Sequence, residues 1–125
     1  MNTMLISELY KVIKHYKIYE CQKDRSNNIF EIELNPAHKI FEGHFPQGPV
    51  LPGVVSIQII KECCELLRGE PLSFSSIGQC KFPMAVNPVE NRNIKLNISL
   101  LNNDLTTEGS SAAGVFIKLK AKLRK

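Results

Sequence analysis

The sequence predicts an α+β fold in which an antiparallel sheet wraps around one long central helix. Two observations carry this. Along the 125 residues, two strand-like runs are followed by one extended helical run and then by at least three further strand-like runs. The helical run is apolar around most of its circumference, as a helix covered by a sheet must be. A composition of 43% hydrophobic and 22% charged residues belongs to a globular chain rather than a disordered or fibrous one. The length fits one domain spanning 1–125, and no internal repeat or low-complexity tract interrupts it.

Met4 to Tyr10 reads as a short helical lead-in, and a first strand is expected from about Lys11 to Gln22, where Val12, Tyr16, Ile18 and Tyr19 supply the apolar positions. Asp24-Arg25-Ser26-Asn27-Asn28 is a cluster of turn formers. Ile29, Phe30, Ile32 and Leu34, interleaved with Glu31 and Glu33, then form an alternating strand that pairs with the first as a hairpin and stops at Asn35-Pro36. From Pro52 the period changes. Val54, Val55, Ile57, Ile59, Ile60, Cys63, Cys64, Leu66 and Leu67 cover most of a helix, and Gln58, Lys61, Glu62, Glu65 and Arg68 form one polar seam. Pro52 suits its first turn and Gly69 its C-terminal cap. Three strand-like runs follow, Leu72 to Phe82, Ile94 to Leu101 and Ala113 to Leu123, with Pro83 to Arg92 and Asn102 to Ser111 as separators rich in turn formers. In the last run Lys118, Lys120 and Lys122 share one face, read as solvated and protective of the sheet edge, with docking of an acidic partner as the alternative.

The chemistry-bearing segment is Phe41-Glu42-Gly43-His44-Phe45-Pro46-Gln47-Gly48-Pro49-Val50-Leu51-Pro52-Gly53. Three prolines and three glycines around one histidine make a stiff loop leading into the helix, and an imidazole held there can serve as a base or acid near neutral pH. His44 alone is equally readable as an ordinary loop histidine packed under a turn. His15 and His38 lie in no constellation and read as structural.

With Gly43, His44, Phe45, Pro46, Pro49, Pro52 and Gly53 in place, the loop resembles the GHFP…PGV signature of the hotdog-fold dehydratases that act on 3-hydroxyacyl groups carried on acyl carrier protein. Cys80-Lys81-Phe82, Pro83 and Val86-Asn87-Pro88 are similar to a second stretch of that family, and the likeness covers roughly Ile29 to Leu101. The resemblance implies a hotdog fold and a dimer, homodimer or higher, with the site between the central helices. It further implies that His44 removes the C2 proton of the 3-hydroxyacyl thioester. The Gly53 backbone N–H, at the helix amino end, would bind the thioester carbonyl. The Val50 carbonyl would accept the other ring N–H of the histidine and fix its tautomer.

One position departs from that pattern. Where the family carries the helix carboxylic acid that protonates the departing hydroxyl, this chain has Gln58, and an amide cannot hand over a proton. The departure leaves several outcomes open. His44 could return its own proton to the hydroxyl, Glu62 one turn further could act through a bridging water, or the site could be weak or inactive. Gln58 can also be read simply as the first member of the polar seam.

The expected function is therefore that of a 3-hydroxyacyl-acyl-carrier-protein dehydratase in fatty-acid or polyketide-like synthesis, a lyase yielding the trans-2-enoyl thioester without cofactor or metal. The alternatives are a non-catalytic dehydratase-like subunit, forming a heterodimer with a catalytic homologue, and a hotdog acyl thioesterase. Partners implied are acyl carrier protein with its acyl-phosphopantetheine and a second copy of the chain. A net charge of +4 without Trp or a dense basic block argues against nucleic acid and suits an acidic carrier. Cys21, Cys63, Cys64 and Cys80 lack metal-ligand spacing and read as buried or half-buried thiols. The N-terminus has no signal-peptide pattern and no apolar run reaches membrane-spanning length, so a cytoplasmic location is expected.

Overall fold

The computed structural model of the chain describes residues 9–18, 25–41 and 48–125. Six strands form one antiparallel sheet: β1 (Tyr10–Ile18), β2 (Arg25–Leu34), β3 (Ser73–Lys81), β4 (Asn93–Leu101), β5 (Asp104–Ser111) and β6 (Gly114–Arg124). Their spatial order is β1-β2-β4-β5-β6-β3. The helix α1 (Gly53–Arg68) packs on one face, against β4 near the sheet centre. A sheet wrapped on one central helix in this order is the hotdog fold.

Alternation explains the layering. Along β4, Ile94, Leu96, Ile98 and Leu100 are buried while Lys95 and Asn97 are exposed, and β6 repeats this with Ile117, Leu119, Ala121 and Leu123 against Lys118, Lys120 and Lys122. The three lysines thus stand on the solvated face, as their spacing implied. From α1, Val55, Ile59, Ile60, Cys63 and Cys64 enter the same core. Ile59 is fully buried there, so Ile59→Ala is expected to cost about 2–5 kcal/mol through lost transfer energy plus a cavity. A lower urea midpoint with an unchanged slope would record it.

Several element boundaries differ from the sequence reading. Leu9 is helical, as the expected lead-in requires, but β1 already begins at Tyr10; Met4–Glu8 and Tyr19–Gln22 lie outside the described residues. Arg25–Asn28 is strand rather than turn, because each residue pairs with β4, from Arg25 opposite Leu101 to Asn28 opposite Ile98. Asn27 and Asn28 are buried, and Asn28 bonds both the His15 ring nitrogen, at 2.8 Å, and Ser26 Oγ, at 2.7 Å. The separator Asn102 to Ser111 is mostly strand β5, with only Asn102-Asn103 left as a tight turn whose left-handed residue is Asn102 at φ 56°. Leu105, Thr107 and Gly109 face the core between β4 and β6, and ladders on both sides outweigh the turn propensity of Asp, Gly and Ser.

The helix ends close as expected at Gly69, whose φ of 70° lets its N–H reach the Glu65 carbonyl. Pro52 is the N-cap residue, extended at ψ 142°, rather than part of the first turn. Nor is the helix covered all round: Val54 is 76% and Leu66 65% exposed. Val54 lies one turn before Gln58 on the same stripe, and among the described residues nothing covers it.

Candidate functional site

The amino end of α1 is anchored from two directions. Pro52 offers its carbonyl to the N–H groups of Val55 and Ser56 at 3.0 and 3.1 Å, starting the helix. Leu51 N–H donates to the Val86 carbonyl at 2.9 Å, pinning the entering loop to the segment between β3 and β4. The Gly53 and Val54 amides precede the first intrahelical bonds, and Pro52 supplies no side-chain cap, so among the described residues no side chain occupies the positive end of the helix dipole.

An apolar groove of about 580 Å³ opens beside it, lined by Val50, Pro52, Gly53, Ile57, Phe82 and Met84 among others. Phe82 lies across Gly53 so closely that a Cβ at that position would stand 2.7 Å from the ring, and glycine is required here for close approach rather than for its φ. The groove therefore gathers Val50 and Gly53, two of the four residues singled out from sequence. His44, with Gly43, Phe45 and Pro46, lies outside the described residues. Gln58 is described but does not line the groove in the single chain.

Gln58 belongs to a different arrangement. Its Nε2 donates to Glu62 Oε2 at 3.1 Å, and the other oxygen of that carboxylate accepts from the Tyr10 hydroxyl at 2.6 Å. All three side chains are half-buried. Burial first, then the hydrogen bond to Glu62 and its negative charge, pushes the Tyr10 phenol well above its usual range, so it stays a neutral donor. Glu62 thus contacts Gln58 directly. Tyr10, 52 residues before Glu62, was not singled out from sequence, since only the β1 placement brings them together.

The neighbouring seam residues have structural work. Lys61 Nζ bonds Glu65 Oε2 and the Leu72 carbonyl, each at 3.1 Å, and Glu65 also accepts from Leu72 N–H at 2.8 Å, tying the end of α1 to the start of β3. His15 stacks on Phe30 with ring centroids 4.2 Å apart, and buried His38 accepts from Ile40 N–H through Nδ1. Both histidines hold structure, as their isolation in the sequence implied. Cys63 and Cys64 are buried thiols pushed upward by desolvation, Cys64 to about 12, and so are poor nucleophiles. Cys80 is partly exposed, and Cys21 lies outside the described residues. Among the described residues, no His, Cys, Asp or Glu group is placed to hold a metal, and no helix is long and apolar enough to cross a membrane.

A family model described as ApeI dehydratase, ApeI-like, matches residues 20–117. The chain belongs to the ApeI-like dehydratase family. Within the wider set of relatives, a 3-hydroxyacyl-[acyl-carrier-protein] dehydratase FabZ of Coxiella burnetii is 25% identical over 98% of this chain and 97% of that one. The FabZ of Novosphingobium aromaticivorans is 29% identical over 56% of this chain, and the match spans less than half, 43%, of that protein. Among solved structures, the dehydratase heterocomplex ApeI:P from Xenorhabdus doucetiae matches with a TM-score of 0.64 and 26% identity, covering 90% of this chain and 100% of that one. An uncharacterized protein from Erwinia carotovora subsp. atroseptica superposes with a TM-score of 0.78 at 21% identity over 93% of this chain and 96% of that one, a likeness of fold.

Proposed function

We propose that the protein is a 3-hydroxyacyl thioester dehydratase that works on substrates carried by acyl carrier protein, in fatty-acid or polyketide-like synthesis in the cytoplasm. The observation that carries this reading is the pre-formed apolar groove at the amino end of α1, with Gly53 at its mouth, in a chain whose loop carries the GHFP…PG residues and whose family is one of dehydratases. An acyl chain fits such a groove, and the Gly53 amide at the helix amino end suits the enolate-like oxygen that forms when the C2 proton leaves. His44 takes that proton, with the Val50 carbonyl holding its other ring nitrogen. The exposed Val54 and Leu66 on α1 suit packing against the helix of a second copy, which would bring Gln58 of one protomer to the groove of the other.

The elimination balances with one base. His44 accepts the C2 proton, the C2–H electron pair becomes the new C=C bond, and the C3–O bond breaks. The imidazolium, whose N–H exchanges with solvent while the enolate is held, then gives a proton to the leaving oxygen, which departs as water. Gln58 contributes hydrogen bonding alone, so the rate should lie about 10²- to 10⁴-fold below that of a site with a positioned acid.

A second reading is favoured by the same Gln58, together with the similarity to the dehydratase heterocomplex ApeI:P of Xenorhabdus doucetiae: a subunit of reduced activity that pairs with a catalytic homologue. Incubating the purified protein with a 3-hydroxyacyl carrier-protein thioester and following enoyl product and free thiol separately tests both. Slow enoyl formation without thiol release supports the dehydratase. Activity only after adding a homologue supports the subunit, and thiol release would indicate a thioesterase.

A further inference from the structure

We infer that Tyr10 and Glu62 are positioning residues that lock the Gln58 amide with its carbonyl oxygen toward the substrate, so that Gln58 receives a hydrogen bond from the substrate's 3-hydroxyl instead of donating one. This rests on the reading of the groove as a 3-hydroxyacyl thioester site.

An ionised carboxylate only accepts, and both Glu62 oxygens are in use, one by the Tyr10 hydroxyl at 2.6 Å and one by residue 58 at 3.1 Å. The group that Gln58 turns toward Glu62 must therefore be its NH2, because a carbonyl oxygen placed there would face a negative charge. With the NH2 turned to Glu62, the amide carries its carbonyl oxygen on the side away from that carboxylate. Donation to a charged acceptor also polarises the amide and strengthens that oxygen as an acceptor.

Tyr10 completes the lock. It reaches α1 from the first residue of β1, and its phenol remains a neutral donor, so it holds Glu62 in the acceptor role. Lys61 does not neutralise Glu62, because its ammonium is engaged by Glu65 and the Leu72 carbonyl. Glu62, with both oxygens committed, is thereby an orienting group rather than a replacement acid.

The test is a binding comparison that needs no turnover. The probes are 3-hydroxyoctanoyl pantetheine amide and the saturated octanoyl pantetheine amide; an amide has a far less acidic C2 proton than a thioester, so both stay intact. The protein should bind the hydroxylated probe about fivefold more tightly, the ordinary net value of one hydrogen bond. Glu62→Gln, whose new amide can face residue 58 with either end, should lose this preference while its affinity for the saturated probe is retained. Tyr10→Phe should do the same to a smaller degree, and it serves alone if Glu62→Gln proves misfolded by its urea midpoint. Equal binding of the two probes by the unaltered protein, or a preference that persists in the folded variants, would overturn the inference with the acyl-site reading intact. Binding of neither probe would remove both.

Discussion

Replacing His44 by alanine is expected to abolish enoyl formation while leaving the urea midpoint within about 0.5 kcal/mol of the parent, as for most loop substitutions outside the core. The proposed elimination uses one group for both proton transfers, so no residual pathway through an acid remains. The described core runs from Leu9 through Leu123 and takes in Phe41 and Leu51 from either side of the segment that carries His44, so both ends of that segment are anchored whatever side chain stands at position 44. Equal rates in parent and variant, measured on the same 3-hydroxyacyl carrier-protein thioester, would remove His44 from the mechanism.

The second large effect runs in the opposite direction. Gln58→Glu places a carboxyl where the family keeps its acid, and its neighbour at 3.1 Å is already the Glu62 carboxylate. Two carboxylates that close cannot both be ionised easily, so the pair retains a proton to higher pH than either alone. Glu62 already accepts from the Tyr10 hydroxyl, so the carboxyl at residue 58 is the member of the pair placed to carry the proton toward the substrate. Dehydration should rise by at least about tenfold. The sign with pH follows from the acid form: the gain is present below the apparent pKa of the pair and fades as pH rises through it. An unchanged or lower rate in a folded, dimeric variant would favour the non-catalytic subunit.

What the sequence made legible, and what it did not, divides along physical lines. The helix and its C-terminal cap were readable because the 3.6-residue period and Gly69 are local signals, with Pro52 one place earlier than read, at the N-cap, and β4 and β6 because strict alternation is local too. Strand β5 was not, since Asp104, Gly109, Ser110 and Ser111 favour turns on their own and are held extended by ladders to β4 and β6. Arg25–Asn28 failed as a turn for the same reason.

At the site, the spacing of Gln58 and Glu62 on one helix face foreshadowed their hydrogen bond. Tyr10 could not be found this way, because its contact with Glu62 depends on where β1 lies in the sheet. The closeness of Phe82 to Gly53 was likewise hidden, although both residues sat in stretches that resembled the family. The exposure of Val54 ran against the expectation of a helix buried on nearly every side, and is the feature that a second protomer would explain.

The central claim is that a histidine base acts on C2 of a 3-hydroxyacyl thioester while no positioned acid helps the hydroxyl leave. Incubation with a 3-hydroxyacyl carrier-protein thioester in deuterated water, with mass analysis of the recovered acyl group, reads the first half of that chemistry directly. Deuterium should enter the unreacted substrate at C2 faster than enoyl product accumulates, and this should stop in His44→Ala. Folded protein that gives neither deuterium at C2 nor enoyl product would contradict the account.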